Sequence, residues 1–371
     1  YWPHTPHSRP TKGFRTACGG GKRRDSNLEL YRIICMLMIV AHHFVVNSGL
    51  FGPTNSPIAN DPENAKSLFL LVFGMWGKTG INCFLMITGY FMCTSKITLR
   101  KFLKLMLWIY FYRIVIYVIF LCTGYEQASI ICIVQILMPV WDFETNFTSC
   151  FIGFWLTIPF WNILIQNMTK RQHEILLILM LGMFTVLATV PKFRVSINYV
   201  TWFGIIYLIA SYIRLYPRNI YKRTSLWGWM TLLIGLICIA SVLICNHFKP
   251  EKCFYFVSDS NKILSVAFAT VSFLWFNHLP IKYSKLINLI GASTFGVLLI
   301  HANSDAMRTW LWKDLLDNVG HYSLPLGNVV IFSFVSVLSV FFICNVIDVI
   351  RIYTLERPLF KWLDAKYFYR K

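Results

Sequence analysis

The residues best suited to chemistry sit inside one apolar run. Asn27 to Gly49, NLELYRIICMLMIVAHHFVVNSG, is long enough to cross a bilayer, which takes about 20 mostly apolar residues. It nevertheless carries Arg32 near one end and His42 and His43 towards the other. Ionisable groups inside a span are costly and by default mark a function. Arg32 and His43 are eleven positions apart, close to three helical turns, so they fall on nearly the same face. They are ~16 Å apart along the axis at ~1.5 Å per residue. One helix face thus holds a cation near the membrane surface and a titratable base deep inside. Histidine suits proton transfer near neutral pH, and arginine is a good partner for phosphate. The plainer reading is a satisfied polar pair that joins helices by hydrogen bonds. The residues alone leave both open.

Further polar residues interrupt other apolar runs. Lys78 and Asn82 lie in GKTGINCFLMITGY, Arg113 in FYRIV, and His301 closes STFGVLLIH just before Asn303 and Asp305. Gly77-Lys78-Thr79 resembles the end of a phosphate-binding loop. That motif needs a glycine five positions before Gly77, where Val72 stands, so a nucleotide-hydrolysing reading is rejected. Lys78 is then a buried or snorkelling cation. Asn82 and Arg113 each fit a substrate contact or a helix-pairing hydrogen bond. His301 with Asn303 and Asp305 fits either a polar cluster that meets a substrate or a solvated helix end. Asn146-Phe147-Thr148 matches a glycosylation acceptor pattern, which matters only in a eukaryotic secretory pathway. The eleven cysteines form no metal-ligand cluster, and no metal site is expected. Cys150 and Cys253 are the two that could pair on an oxidising face.

The elements that must carry these residues are membrane helices. Of the 371 residues 56% are apolar and only 14% charged, against about 25% in soluble domains. Ten apolar segments can be drawn, near 28–48, 67–93, 102–122, 149–166, 173–190, 200–216, 226–246, 262–278, 288–304 and 328–350. The run 128–141 is too short to cross and reads as interfacial or re-entrant. With the N-terminus inside, this count puts 24 Lys and Arg on the inner side and 8 on the outer, and leaves Arg32, Lys78 and Arg113 within spans. The expectation is an all-α polytopic membrane protein of about ten transmembrane helices with both termini cytoplasmic. Residues 1–26 are expected to be a disordered basic arm, 27–360 the transmembrane domain, and 361–371 a short basic tail. The net charge of +19 then anchors cytoplasmic loops and implies no nucleic acid. Trp108, Trp202, Trp227, Trp229, Trp310 and Trp312 near segment ends fit an interfacial belt.

Four blocks occur in one order: Arg32 with His43, the Gly77–Tyr90 segment, Phe154–Asn162 (FWLTIPFWN), and Ser293–His301. Together they resemble the acyltransferase-3 family of polytopic membrane acyltransferases, whose first helix carries Arg, ten residues, then His. Glu356-Arg357-Pro358 is similar to that family's closing E-K/R-P. Thr88 departs from the usual serine of the second block, and an Arg-x-Arg found in some members is replaced nearby by Arg100, Lys101 and Lys104.

The resemblance implies transfer of an acyl group, acetyl above all, from cytoplasmic acyl-CoA to a hydroxyl of a cell-surface or exported carbohydrate. It implies His43 as general base and Arg32 on the donor, with Lys78, Asn82 and His301 as further substrate-binding residues. No bound cofactor is implied, since acetyl-CoA is a substrate. The partners implied are acyl-CoA, a polysaccharide or glycolipid acceptor and the lipid bilayer, and the location is a bacterial plasma membrane. A multi-pass exporter of a small metabolite or acyl compound is the alternative. The missing internal repeat weighs mildly against it.

Overall fold

Helix signals recur along the whole chain, and the computed structural model follows them. It describes residues 24–52, 54–144 and 146–368. Residues 1–23, most of the expected basic arm, and 369–371 of the tail lie outside the described residues. The principal helices are α1 (Ser26–Val46), α2 (Ala65–Gly74), α3 (Gly77–Met92), α4 (Leu99–Cys122), α5 (Phe147–Asn167), α6 (Tyr199–Leu215), α7 (Thr224–Phe248), α8 (Ile263–His278), α9 (Lys285–Ala292), α10 (Thr294–His301) and α11 (Leu326–Arg351). Side-chain caps set many of their starts. Asn64, Thr98, Asn146, Asn198 and Ser284 each accept a hydrogen bond from a backbone N–H of the first turn of α2, α4, α5, α6 and α9. The asparagine of the Asn146-Phe147-Thr148 pattern is thus a helix cap, 3.0 Å from the Ser149 amide nitrogen.

The count of ten spans is corrected. Among the described residues six helices are long and apolar enough to cross a membrane: Ser26–Val46, Ala65–Met92, Leu99–Cys122, Phe147–Asn167, Thr224–Phe248 and Leu326–Tyr367. A seventh exists only if Lys285–His301 and Asp305–His321, bent by 95° at their break, count as one span. The four segments that fall away have physical reasons. The one drawn at 173–190 begins on the polar Lys170-Arg171-Gln172-His173-Glu174 and its α-helix stops at Leu181. The two at 200–216 and 262–278 form helices of 17 and 16 residues, ~25 Å long against a hydrocarbon core of ~30 Å. The fourth is the bent pair. The apolar character of α6 serves the protein interior, since every residue from Trp202 to Ile213 is buried. By contrast α7 and α11 expose rows of Leu, Ile and Phe, as lipid-facing helices do. The short helix Ile130–Leu137 exposes Ile130, Ile131 and Leu137, in keeping with an interfacial segment.

The hub of the bundle is α1, which packs against α2, α3, α8, α9, α10 and α11. Small residues make the close approaches possible. A Cβ on Gly77 would lie 2.2 Å from the His42 ring, so the glycine lets α3 meet α1 at that histidine. Tyr31 of α1 reaches Ser272 of α8 at 2.6 Å, and Thr79 of α3 reaches Ser265 of α8 at 3.2 Å. The belt reading of the tryptophans fails for Trp202 and Trp312, which are fully buried, while Trp229 stays 71% exposed.

Candidate active site

The two neighbouring histidines of α1 face different partners. His42 Nδ1 sits 2.6 Å from the Gly74 carbonyl and fastens α1 to α2. His43, in the last turn of α1, places Nδ1 2.9 Å from Nε2 of His301, at the end of α10. His301 is buried, so the solvated-helix-end reading does not hold, and its Nδ1 lies 2.6 Å from the Val297 carbonyl one turn back. The hydrogen bonds assign the tautomers. A carbonyl only accepts, so His301 Nδ1 carries the hydrogen, and the neutral ring offers a lone pair at Nε2. His43 Nδ1–H therefore donates to it, which leaves His43 Nε2 as the lone-pair nitrogen. Trp312 stands edge-on to the His301 ring, with centroids 6.4 Å apart, and closes that side.

Two cavities meet α1 at its chemically distinctive ends. The larger, about 960 Å³, is lined by Arg24, Arg32, Arg100, Lys104, Arg357 and Lys361 among others. Arg32 and Arg24 share one carboxylate, Glu29, at 2.9 and 3.3 Å. Arg100 grips Asp364 with two nitrogens, each at 2.7 Å. Thr88 also lines this cavity, with its hydroxyl turned to the Phe84 carbonyl of its own helix at 3.2 Å. The smaller cavity, about 150 Å³, is lined by His43, Lys78, Arg113, Tyr199, Asn303 and Arg308 with apolar neighbours. Its apolar lining belongs to the same helices as that of the larger cavity. Phe84, Phe151 and Phe295 line the large one, and Ile81, Phe147 and Leu298 the small one. Each pair is three or four residues apart, so one helical turn, ~4.5–6 Å, separates the two linings on α3, α5 and α10. The Phe151 and Phe295 rings, 5.7 Å apart, stand at that step.

The remaining predicted residues divide. Lys78 lines the small cavity and donates to the Tyr199 hydroxyl. Asn82 is fully buried, donates to the Ser260 carbonyl at 2.6 Å and accepts from Trp202 Nε1 at 2.9 Å, which ties α3 to α6. Asn162 likewise joins helices, donating to the Met92 carbonyl at 3.1 Å and accepting from the Tyr207 hydroxyl at 2.7 Å. Cys150 and Cys253 are free and buried. Burial pushes the Cys253 thiol up to about 12, which suits packing and not exchange.

One cluster escaped the sequence reading, which took Arg351 only as one of the inner-side cations at the end of the last apolar run. Asp348 and Arg351 are both buried on α11 and joined at 2.8 Å. The same Asp348 oxygen accepts from Trp108 Nε1 and the Tyr112 hydroxyl, each at 2.8 Å. Arg351 continues to Glu356 at 3.0 Å, and Glu356 to Lys104 at 2.5 Å on the wall of the large cavity. A Cβ on Gly296 would fall 2.2 Å from Asp348 Cγ, so the glycine of the Ser293–His301 block makes room for this carboxylate. An acid and an arginine three apart at the end of a long apolar run were the available signal.

A family model described as an acyltransferase domain, Acyl_transf_3, matches residues 25–346. The chain belongs to this family. No curated protein and no solved structure matches it. The match starts just before α1, takes in the four blocks that the sequence singled out, and ends within α11, short of Glu356-Arg357-Pro358. It makes the chain an integral multi-pass membrane protein of an acyltransferase family.

Proposed function

We propose that the protein transfers an acetyl group from acetyl-CoA to a hydroxyl of a cell-surface or exported carbohydrate in a bacterial plasma membrane. The observation that carries this reading is the His43–His301–Val297 relay at the small cavity, one helical turn from the basic cavity that contains Arg32. The basic mouth faces the cytoplasm by the positive-inside rule, where acyl-CoA is found. Arg32 and Arg24 there, two cations on the one carboxylate of Glu29, meet the donor phosphates through their planar forks. The slender acyl-bearing arm then passes the Phe151–Phe295 step towards His43.

In the transfer the acceptor oxygen forms a bond to the thioester carbonyl carbon as His43 Nε2 takes the hydroxyl proton. Collapse of the tetrahedral adduct breaks the C–S bond, and the imidazolium returns the proton to the departing thiolate. His301 keeps the His43 ring oriented and accepts from its Nδ1–H throughout. Asn82 supports the site by holding Trp202. Family membership favours this enzyme over the exporter.

The test is purified protein in nanodiscs with acetyl-CoA and a panel of glycans, read as release of CoA thiol and acetyl ester on the glycan. Glycan-dependent thiol release in the wild type and its loss in His43→Ala are expected. Release no faster than from empty nanodiscs with every glycan, or equal release by His43→Ala, overturns the reading.

A further inference from the structure

The small cavity has a charge that the transfer reaction does not require. Lys78, Arg113 and Arg308 all line it beside His43, and its lining contains no carboxylate. Their partners are weak or neutral. Lys78 donates to the Tyr199 hydroxyl, and Arg113 to the Gln135 carbonyl at 2.8 Å. Arg308 alone meets an acid, Asp305 at 2.5 Å, but the Asp305 side chain is 94% exposed, where an ion pair is screened and contributes little. The acids nearby serve other walls. Glu144 and Asp259 line a separate cavity of about 250 Å³ that shares Lys78, while Glu126, Asp142 and Asp305 line one of about 560 Å³ that shares Arg113 and Arg308. Three cations converging on a confined space repel one another and lose hydration. Such groups are retained where an anion completes them.

Resting on the proposed transferase reading, we infer that the acyl acceptor is anionic: a sugar that carries a carboxylate or a phosphate close to the hydroxyl that receives the acyl group. The anion sits among Lys78, Arg113 and Arg308, and this fixes the hydroxyl against His43 Nε2. Polar groups for the sugar are at hand, since Asn146 and Asn303 line both the small cavity and the 560 Å³ cavity beyond it. Electrostatic selection of this kind sets specificity among acceptors of equal size.

The experiment uses full-length protein in nanodiscs with saturating CoA, so that anions do not report the basic donor mouth. Three probes share one ring: methyl β-glucoside, methyl β-glucuronide, and methyl β-glucoside 6-phosphate. Their dissociation constants are measured by ligand-observed NMR titration. At least one charged probe is expected to bind tenfold or more tighter than the neutral one, and which of the two does so separates carboxylate from phosphate recognition. Arg308→Gln and Arg113→Gln should bring that probe towards the affinity of the neutral glucoside, while Arg308→Lys keeps part of the preference. Charged and neutral probes binding alike, or no charged probe binding, overturns the inference; so does a preference that survives both glutamine variants. The outcome is independent of the transfer assay. A protein that releases CoA thiol in a His43-dependent way and shows no charge preference loses this inference alone.

Discussion

Around Asp348 every charge meets an opposite charge; around His43, among the described residues, Lys78 and Arg113 meet none. The first group is a chain, Asp348 to Arg351 to Glu356 to Lys104, reinforced by Trp108 and Tyr112 and closed by a glycine that leaves no spare volume. The second sets Lys78, Arg113 and Arg308 against a tyrosine hydroxyl, a carbonyl and one exposed carboxylate, with open space between them. Both groups lie in one bundle, so burial alone does not mark a working site. Charge-for-charge pairing within the protein is what separates a structural charge from one that waits for a ligand, even though Asp348 Oδ2 and Arg351 Nη2 are buried without a hydrogen-bond partner.

The contrast breaks most clearly at the two centres. His43→Ala should lower transfer by about 10²–10⁴-fold, the usual contribution of a positioned base, with protein abundance in membranes close to wild type. His42→Ala should keep most of the transfer, because its ring is committed to Gly74. Asp348→Ala should do the reverse by leaving buried Arg351 with Glu356 alone, which Lys104 shares, at a cost of up to about 3–5 kcal/mol, read as a fall in melting temperature and in accumulated protein. If Asp348→Ala melts like the wild type and only loses transfer, the division into structural and working charges is wrong.

Smaller effects sharpen it. Arg32→Ala should raise the KM for acetyl-CoA by about tenfold or more, from the ~1.5–3 kcal/mol of a hydrogen bond to a charged group, and Arg32→Lys by less. An unchanged KM in steady-state kinetics would remove Arg32 from the donor site. Transfer should also decline as pH falls, because a proton on His43 Nε2 removes the base, and recover as pH rises. A flat acid limb in the rate profile would point to another base. Arg308→Gln should shift the melting temperature least, since its partner Asp305 is exposed and such pairs contribute about 0–1 kcal/mol.

The residues of the candidate site were conspicuous in the sequence because membrane sequences advertise their polar residues. Arg32, His43, Lys78 and His301 each interrupt an apolar run, and the structure sets three of them on the two cavities and the fourth, His301, against His43. What the runs did not reveal was which polar residue faces a cavity and which faces a neighbouring helix. Asn82 and Asn162 look as suitable as Lys78 in sequence, yet their amides join helices. Arg308 and Arg351 were counted simply as outer- and inner-side charges; chain position does not report that the fold bends after His301, which bears on Arg308, or that Arg351 packs against Asp348. The helical class was legible and the number of spans was not. Hydropathy reads a helix buried in protein, such as α6, in the same way as one that faces lipid.

The short helices have a consequence for distance. Where α1 meets α8 and the α9–α10 pair, which bends by 95° into the following Asp305–His321 segment, these neighbours are shorter than a full span, and two cavities meet α1 at opposite ends. In the proposed reaction a charged donor on one side and a polar acceptor on the other would be separated by little more than the rise from Arg32 to His43, ~16 Å, and not by a bilayer of ~30 Å. The protein would act there as a thin septum. A two-carbon group on a flexible arm would span it without either substrate leaving its own aqueous compartment.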